Sequence, residues 1–488
     1  MTLRRLWASL AILLPVVAAL AATVSAVDLA YHLRAGEQIL AGGAIPRVDT
    51  FTFTAAGREW VDQQWGAQVI LATTFRLAGW LGLVVLRGGL VGLLFGLLFL
   101  ACRLRGADVR MAAWLSLAAF IVAAPALALR PQLIGMVLLA LSLVLVASRR
   151  THPRLIYLVP VVVALWANVH GSFFFGPVVV GLVWLEDVHE RAPAATRTLI
   201  VAVVAALATL ANPFGPTVWS YAVGLSTNPE VTARISEWQR TTLGTVPGIL
   251  FYSSALAVVV LIARRGRSTG WPTLAWLAIF FVIGAYAIRG VAWWPLGAAF
   301  ALSGVINREP ATPERPTPRL GRRVNAAIVV ALAVVGIVLL PVWRATDPAI
   351  GAPTGVLTDA PSGITGALRA TARSGDRVFN PQPWGSWFEF ALPDVLVAID
   401  SRFELFPRET WSDYETVATG GSGWPTVLDK WGVTIVVAGP EDLTLIDRFR
   451  GDGWRDVYVG PDGTILRRPA SASNNPTGRI TSGSEHVR

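Results

Sequence analysis

The 488-residue sequence has little charge, one cysteine and one lysine. Charged residues make up 15% of the chain, whereas soluble globular proteins have about a quarter. The single cysteine, Cys102, excludes an intramolecular disulfide bond and a metal site built from cysteines. No glycine-rich nucleotide motif, Walker sequence or Ser-His-Asp pattern is present. These absences exclude an ordinary soluble protein and argue against an enzyme that binds a nucleotide.

Long hydrophobic runs are what the sequence has in abundance. Hydrophobic residues make up 54% of the chain, and the mean hydropathy is +0.55. A transmembrane helix needs roughly 17–25 apolar residues, and the sequence therefore predicts a polytopic α-helical membrane protein with about eleven transmembrane helices. The runs stand at about 6–27, 80–102, 109–129, 131–148, 155–170, 172–185, 198–213, 248–263, 271–288, 290–306 and 324–343.

Arginine is distributed unevenly among the connections between these runs. The positive-inside rule places the arginine-rich connections in the cytoplasm, which puts the N-terminus inside and the residues after Trp343 outside. The cytoplasmic set is Arg4, Arg5, Arg103, Arg105, Arg110, Arg149, Arg150, Arg154, Arg191, Arg197, Arg264, Arg265, Arg267, Arg308, Arg315, Arg319, Arg322 and Arg323. The outward set is Arg34, Arg47, Arg58, Arg76, Arg130, Arg234, Arg240 and Arg289. Because the net charge of +10 is spread over short loops, no nucleic-acid partner is predicted.

The transmembrane domain is predicted to span 1–344, with external loops at 28–79 and 212–247. Within the first loop, residues 60–78 alternate apolar and polar side chains with the spacing of an interfacial amphipathic helix. The first loop is too apolar for a free soluble domain and too polar to span the membrane.

The C-terminal region has a soluble composition. Strand-like segments at 395–399 and 434–438 and helix-like segments at 364–372 and 443–450 predict an extracytoplasmic α/β domain over 345–469. The tail 470–488, rich in Ser, Asn, Gly and Thr, is predicted to be disordered.

The first external loop carries a resemblance to a known family. The segments DLAYHLRAGEQIL, IPRVDTFTFT and WVDQQW resemble the corresponding loop of bacterial membrane glycosyltransferases of the GT-C fold, distant relatives of the protein O-mannosyltransferases and the lipid A aminoarabinose transferases. The segments WANVHGSFFFG, ANPFG, ISEWQR, WGSWFEF and AIDSRFELF resemble a poorly characterised branch of these proteins. In that fold the loop begins with an acidic residue, runs through juxtamembrane helices and returns through a span that bears an arginine. Those features correspond to Asp28, helices around 35–41 and 60–78, and Arg87.

The resemblance implies a hexosyl- or pentosyltransferase of the bacterial plasma membrane. Its donor would be a polyprenyl-phosphate-linked sugar, its acceptor a cell-envelope glycan, lipid or protein, and membrane lipids would be further partners. Such a transfer needs a carboxylate that accepts the hydroxyl proton, a cation for the leaving phosphate, and a cavity open to lipid. Asp28 is the candidate base, although many family members have two adjacent acidic residues and here Leu29 follows.

Arginine is the predicted phosphate ligand, because a guanidinium offers bidentate geometry. The candidates are Arg34, Arg130 and Arg289. Each also has a simpler interpretation, and for Arg289 it is snorkelling to the membrane interface.

Other polar residues are candidates for substrate binding. His32 lies one helical turn after Asp28, and both could face one phosphate or divalent cation, although two residues make only half a metal site. Asn168 and His170, at the tip of a predicted hairpin, bind either substrate or a neighbouring helix. Glu237 and Trp238 suit the hydroxyls and the apolar face of a sugar, although tryptophan is also an ordinary interfacial residue.

In the C-terminal domain, Asp400 and Arg402 follow a predicted strand. They form either a ligand site at the end of the sheet or a structural ion pair.

Two other classes of function remain open from the sequence. One is a transporter or flippase for a lipid-linked molecule, which usually shows repeated halves and polar residues at the bilayer midplane. No such repeat is visible here. The other is a non-catalytic cell-envelope assembly protein, which would not require Asp28, Arg289 and Glu237 to lie together. The positions of these three side chains therefore distinguish the alternatives.

Overall fold

The computed structural model describes residues 1–265, 269–306 and 318–469. The predicted disordered tail, 470–488, lies outside these residues. In the membrane part the helices are α1 (Leu3–Ala21), α2 (Ala26–Gly42), α3 (Trp65–Leu104), α4 (Val109–Ala123), α5 (Pro131–Ala147), α6 (Val159–Trp166), α7 (Phe175–His189), α8 (Ala195–Ala208), α9 (Thr217–Thr227), α10 (Pro229–Arg234), α11 (Val246–Arg265), α12 (Trp271–Tyr286), α13 (Trp294–Ile306) and α14 (Arg319–Val338).

These helices account for all eleven predicted hydrophobic runs. Seven, some with an adjoining 3-10 turn, are long and apolar enough to cross a membrane, namely α1, α3, α4, α5, α7, α11 and α14. The shorter apolar helices α6, α8, α12 and α13 supply the other four runs. The predicted class of polytopic α-helical membrane protein is therefore confirmed.

The first external loop begins differently from the prediction. Helix α1 ends at Ala21, a short strand β1 (Val24–Ser25) follows, and α2 begins at Ala26. Ser25 initiates α2, because its hydroxyl accepts a hydrogen bond from the Val27 amide at 3.4 Å. Asp28 therefore belongs to the first turn of α2 and does not end the first span. The juxtamembrane helix expected around 35–41 starts well before that range.

Helix α3 consists of two helices joined at Ala78 and Gly79, whose backbone angles are not helical. Gly79 has φ +55°, a conformation that glycine adopts without strain. The first half packs closely on α2, since a Cβ added to Gly36 would lie 2.3 Å from the carbonyl oxygen of Gln68. The second half is the second predicted span. The amphipathic segment predicted at 60–78 is thus helical only from Trp65 onward.

Arg87, in the second half of α3, is buried and closes the end of α1. Its Nη1 donates to the carbonyl oxygen of Thr23 at 2.6 Å, and its Nη2 donates to the carbonyls of Ala19 and Ala22. The last carbonyls of a helix have no partner within the helix. The arginine that the resemblance placed in this span therefore caps the C-terminal end of α1.

The predicted cytoplasmic connections meet at one end of the helices. Glu186 accepts hydrogen bonds from Arg105 at 2.7 Å and from Arg149 at 3.2 Å. Arg149 also pairs with Asp187 at 2.9 Å. These contacts join the connections that follow α3 and α5 to the end of α7, so the positive charge at this end is partly neutralised by buried carboxylates.

The C-terminal region forms the predicted α/β unit. Its helices are α15 (Ser362–Thr371), α16 (Gln382–Ala391), α17 (Arg408–Ala418), α18 (Trp424–Trp431) and α19 (Leu443–Gly451). Its strands are β2 (Leu357–Thr358), β3 (Arg377–Phe379), β4 (Leu396–Val397), β5 (Ile435–Ala438), β6 (Arg455–Gly460) and β7 (Gly463–Arg467). Strands β3 to β7 form one sheet in the order β4-β3-β5-β7-β6, parallel at β4-β3-β5 and antiparallel around β7.

The first external loop is tied to this sheet. Thr52 bridges Val397 at the edge strand β4, and the Phe53 amide donates to the Val397 carbonyl at 3.1 Å. Strand β1 pairs in parallel with β2. Phe51 and Trp60 belong to the same hydrophobic core as residues of the sheet. The loop and the α/β unit therefore share one core, and this contact closes one side of the site described next.

Candidate active site

A polar cavity of about 280 Å³ lies where the first external loop, the second external loop and the C-terminal unit meet. Asp28, Tyr31 and His32 line it from α2, and Asp62 from the segment before α3. The other polar lining residues include Gln63, Gln64, Arg130, Tyr221, Glu237, Arg289, Gln382, Ser401, Arg402 and Glu404. Residues far apart in the sequence are thus brought to one place.

Arg130 connects two carboxylates in this cavity. Its Nε lies 3.1 Å from Asp28 Oδ2, and its Nη1 lies 2.8 Å from Glu237 Oε1. Asp28 raises the pKa of Arg130 above its ordinary value, with Glu237 adding to the effect. Asp28 comes from α2, Arg130 from the residue before α5, and Glu237 from a 3-10 turn after α10. The three form a charged wall, the Asp28–Arg130–Glu237 triad.

Arg289 lies on the short 3-10 helix that forms the tip between α12 and α13. Its guanidinium carbon is 5.2 Å from the centre of the Trp238 ring, which is within the range of a cation–π contact. The tip is held in place by the Ile288 amide, which donates to the Gln239 carbonyl at 3.0 Å. Among the described residues, no carboxylate lies within 4.0 Å of Arg289, so its positive charge is available to an anion.

A second group in the polar cavity joins His32, Gln68 and Asp62. The Gln68 side-chain nitrogen donates to Asp62 Oδ1 at 2.6 Å and lies 3.5 Å from His32 Nδ1. Burial lowers the pKa of His32, and the cations Arg130, Arg289 and Arg402 lower it further, so the imidazole is neutral. Burial raises the pKa of Asp62 to about 7, although Gln68 and Arg402 act in the opposite direction.

Sequence reasoning did not select Asp62 or Gln68. The alternation of polar and apolar residues over 60–78 predicts an amphipathic helix whose polar side faces water. In the structure, however, Asp62, Gln63 and Gln68 are all buried. The composition of the segment DQQ, which lies between two tryptophans, could have indicated burial. It contains two neutral amides and only one charged residue. Buried polar groups need partners, and amides supply both a donor and an acceptor.

The C-terminal unit supplies the remaining wall. Arg402 is buried, with its Nε 2.7 Å from Asp400 Oδ2 and its Nη2 2.7 Å from Asp49 Oδ1. Tyr221 donates to Glu404 Oε1 at 2.9 Å, and burial raises the pKa of Glu404. Asp400 and Arg402 thus form a buried ion pair, and Arg402 also lines the polar cavity.

Two of the predicted binding residues stand apart from the cavities. Arg34 lies six residues after Asp28 on α2 and thus on another face of the helix, with its guanidinium 6.0 Å from the Phe51 ring. Asn168 donates to the carbonyls of Ala164 and Ala211, each at 2.8 Å, and accepts from Trp65 at 3.0 Å. Neither residue lines the polar cavity or the second cavity described below. The helix-packing interpretation of Asn168 fits these contacts.

His170 lines a second cavity, the apolar cavity, of about 400 Å³. Its Nδ1 accepts a hydrogen bond from the Ser172 amide at 3.2 Å. His170 thereby caps the start of the 3-10 turn before α7. Several phenylalanine and tryptophan side chains, among them Phe174 and Trp293, line the same cavity. Val223 and Val282 also line this cavity and are exposed, so its mouth is apolar.

Trp238, Arg289, Gln63, Gln64, Tyr221 and Leu225 line both cavities. The polar and the apolar cavity are thus adjacent, with a cation at their boundary. No group of three or more His, Cys, Asp or Glu that could hold a metal ion occurs within 1–265, 269–306 and 318–469.

No protein-family profile and no curated protein sequence matches the chain. Solved structures do match. The archaeal oligosaccharyltransferase AglB from Archaeoglobus fulgidus, in complex with an inhibitory peptide and a dolichol-phosphate, has a TM-score of 0.58 and 12% identity, over 88% of this chain and 69% of that chain. ArnT from Cupriavidus metallidurans bound to undecaprenyl phosphate has a TM-score of 0.51 and 15% identity, over 95% of this chain and 98% of that chain. At these identities the likeness concerns the fold, and the chain has the GT-C-like fold of these two membrane proteins.

Proposed function

We propose that the protein is a membrane glycosyltransferase that moves a sugar from a polyprenyl-phosphate-linked donor to an acceptor hydroxyl. The observation that carries the proposal is the contact between the two cavities at Arg289. A polyprenyl-phosphate sugar has an apolar chain, an anionic phosphate and a polar sugar in that order. The apolar cavity, Arg289 and the polar cavity follow the same order.

The side chains suit the chemistry of the transfer. The acceptor oxygen attacks the anomeric carbon while the bond from that carbon to the phosphate oxygen breaks. Arg289 and Arg130 would stabilise the charge of the leaving phosphate. Asp28 and Asp62 line the same cavity and are both candidates for the base that takes the hydroxyl proton. Trp238 and Glu237 would face the ring and the hydroxyls of the sugar.

The relatives in fold support a lipid-linked donor. The oligosaccharyltransferase was solved with a dolichol-phosphate and an inhibitory peptide, and ArnT with undecaprenyl phosphate. We further propose that the protein lies in a bacterial plasma membrane with its N-terminus in the cytoplasm. The two cavities would then open on the outer side, toward a glycan, lipid or protein acceptor of the cell envelope.

The proposal is tested by blocking the apolar cavity. Ala222, on α9, lines this cavity, and Ala222→Trp would fill part of it. Binding of undecaprenyl phosphate to the purified chain is measured by native mass spectrometry, and consumption is measured for a panel of undecaprenyl-phosphate-linked hexoses and pentoses. We expect the wild type to bind the lipid phosphate and consume at least one donor, and Ala222→Trp to lose both properties.

Ser220→Trp is the matched control. Ser220 is exposed on the same helix and lines neither cavity, so lipid binding should survive this change. Equal binding by both tryptophan variants would contradict the assignment of the apolar cavity. A wild type that consumes no donor in the panel would contradict the proposed function.

A further inference from the structure

The polar cavity contains two aspartates of the first external loop in different surroundings. Asp28 is partly exposed and faces a cation, whereas Asp62 is 2% exposed and faces an amide. A transferase of the proposed kind needs one carboxylate that takes up a proton during the reaction and releases it afterwards. The surroundings of the two side chains decide which of them is suited to that task.

Asp28 is committed to an ion pair. Its Oδ2 lies 3.1 Å from Arg130 Nε, and Arg130 is also bound to Glu237. Uptake of a proton by Asp28 would remove the negative charge that holds Arg130 in position. Asp28 is therefore suited to fixing the Arg130 guanidinium in the cavity.

Asp62 has an oxygen atom that is not engaged. Its Oδ1 accepts from Gln68 at 2.6 Å, while its Oδ2 is buried and has no hydrogen-bond partner among the described residues. No cation of the described residues lies within 4.0 Å of this carboxyl. A buried polar atom without a partner is costly in a folded protein. Because Asp62 also lines the polar cavity, we expect its carboxyl to find the missing partner in a group of the substrate.

The protein holds Asp62 rigidly. The next residue, Gln63, donates from its side chain to the Ala167 carbonyl at 2.9 Å, and Trp65 donates to Asn168 at 3.0 Å. Both contacts fix the segment to the tip between α6 and α7. Asn168, which does not line the cavity, thus supports the position of Asp62, and rigid placement of a reacting group contributes to rate.

The charged and titratable neighbours of Asp62 come from three elements. Arg402 and Glu404 face it from the C-terminal unit, Tyr31 and, through Gln68, His32 from α2, and Tyr221 from α9. Burial is the largest effect, and the pKa of Asp62 is raised to about 7. A carboxyl of this kind changes its protonation state near neutral pH, as an efficient general base must.

We propose that Asp62 is the general base of the transfer and that Asp28 positions Arg130. This inference rests on the proposed function. The acceptor hydroxyl gives its proton to the Asp62 carboxylate, and the acceptor oxygen forms a bond with the anomeric carbon of the donor. The bond between that carbon and the phosphate oxygen breaks, and its electron pair leaves with the polyprenyl phosphate. Asp62 then releases the proton to water.

The test compares Asp62→Asn, Asp28→Asn and the control Glu59→Gln in the full-length protein. Glu59 is an exposed carboxylate of the same loop and lines neither cavity. The donor is the undecaprenyl-phosphate-linked sugar that the wild type consumes. We expect Asp62→Asn to lower kcat by about 10²–10⁴-fold, with undecaprenyl phosphate affinity unchanged, and to remove the rise of kcat/KM with pH near neutrality. Asp28→Asn should weaken undecaprenyl phosphate binding and keep that rise.

Gln68→Met tests the assignment in a second way. The Gln68 amide stabilises the charged form of Asp62, so its loss should move the pH midpoint of kcat/KM upward. Infrared titration should also show a protonated carboxyl that ionises near pH 7 in the wild type and is missing in Asp62→Asn. An asparagine at 62 still accepts the Gln68 hydrogen bond, so this variant should fold.

Several results would overturn the assignment. A wild-type rate in Asp62→Asn, an unchanged pH midpoint in Gln68→Met, or loss of the pH-dependent rise only in Asp28→Asn would each exclude Asp62 as the base. In those cases a wild type that transfers sugar leaves the proposed function intact. A wild type that transfers no sugar overturns the proposed function and the base assignment together.

Discussion

At the scale of single residues, the site depends on how each charge is surrounded. Asp28 and Asp62 have the same side chain, but one is paired with Arg130 and the other is buried beside Gln68. The electrostatic effect of a neighbouring cation favours the charged carboxylate, whereas burial disfavours it. The two aspartates can therefore take different roles within one cavity.

The pH dependence of stability provides one prediction for Asp62. Because its folded pKa is raised to about 7, the folded state keeps a proton between about pH 4 and about pH 7 that the unfolded state has released. The contribution of Asp62 to the free energy of unfolding should therefore fall as pH rises through this interval, by up to roughly 4 kcal/mol at about 1.4 kcal/mol per pKa unit. Thermal unfolding of the wild type and of Asp62→Asn is compared at pH 5 and pH 8. The stability of Asp62→Asn relative to the wild type should be greater at pH 8 than at pH 5. A constant difference would contradict the burial argument, and Glu59→Gln is the control.

Arg289 provides a second prediction at this scale. If it holds a phosphate, Arg289→Lys keeps the charge but loses bidentate contact, and undecaprenyl phosphate affinity should fall roughly tenfold, about 1.4 kcal/mol. Arg289→Gln should weaken binding further. Arg47→Lys is the matched control, since Arg47 also stacks on an aromatic ring, Phe214 at 4.4 Å, and lines neither cavity. Unchanged affinity in both Arg289 variants would leave this residue as an interfacial arginine.

At the scale of elements, the site is assembled by contacts between loops. The first external loop extends the edge of the C-terminal sheet at Thr52, and Asp49 from the same loop pairs with Arg402. Arg402 also pairs with Asp400 and is surrounded by the rings of Phe51 and Trp60. This buried ion pair fixes the loop against the domain and, with it, one wall of the polar cavity.

Removal of Arg402 should release the loop. Arg402→Leu leaves Asp49 and Asp400 buried without their cation, and breaking a buried pair typically costs about 3–5 kcal/mol. We expect trypsin to cleave the variant faster after the exposed Arg58, detected by mass spectrometry. Arg467→Leu is the control, because Arg467 pairs with Asp376 within the C-terminal unit. Equal cleavage at Arg58 in wild type and Arg402→Leu would show that the loop is held by other contacts.

At the scale of the whole molecule, the ion pairs around Glu186 and the two cavities lie at opposite ends of the helices. Carboxylates neutralise arginines at one end, as in the pairs of Glu186 with Arg105 and Arg149. The cavities lie at the other end, beside the C-terminal unit. The arginine distribution predicts that the first of these ends is cytoplasmic.

Cysteine labelling tests this orientation. In a Cys102→Ala background, single cysteines replace Ser226 on α9, Ser422 between α17 and α18, or His152 between α5 and α6. A membrane-impermeant reagent added to intact cells should label positions 226 and 422 and leave position 152 unlabelled until the membrane is opened. Labelling of position 152 in intact cells would reverse the proposed orientation and place the cavities on the cytoplasmic side.

The sequence by itself determined the hydrophobic spans, and two strands and two helices of the C-terminal unit, but it did not indicate the other elements of that unit. Length and apolar composition suffice for a membrane helix because lipid leaves the backbone few alternatives. The apolar runs that predicted strands at 395–399 and 434–438 were also sufficient, since β4 and β5 lie within these segments.

Only the tertiary structure decided which polar residues meet. Asp28, Arg130 and Glu237 are separated by about a hundred residues at each step, and nothing local distinguishes them from Arg34 or Asn168, which lie outside the cavities. Burial is a property of the packed molecule. The sequence therefore predicted that Asp62 and Gln68 face water, although both are buried in the structure. The spacing of residues along a helix determines on which face of the helix each side chain lies. The residues that pack against that face come from elsewhere in the chain, so only the folded structure identifies them.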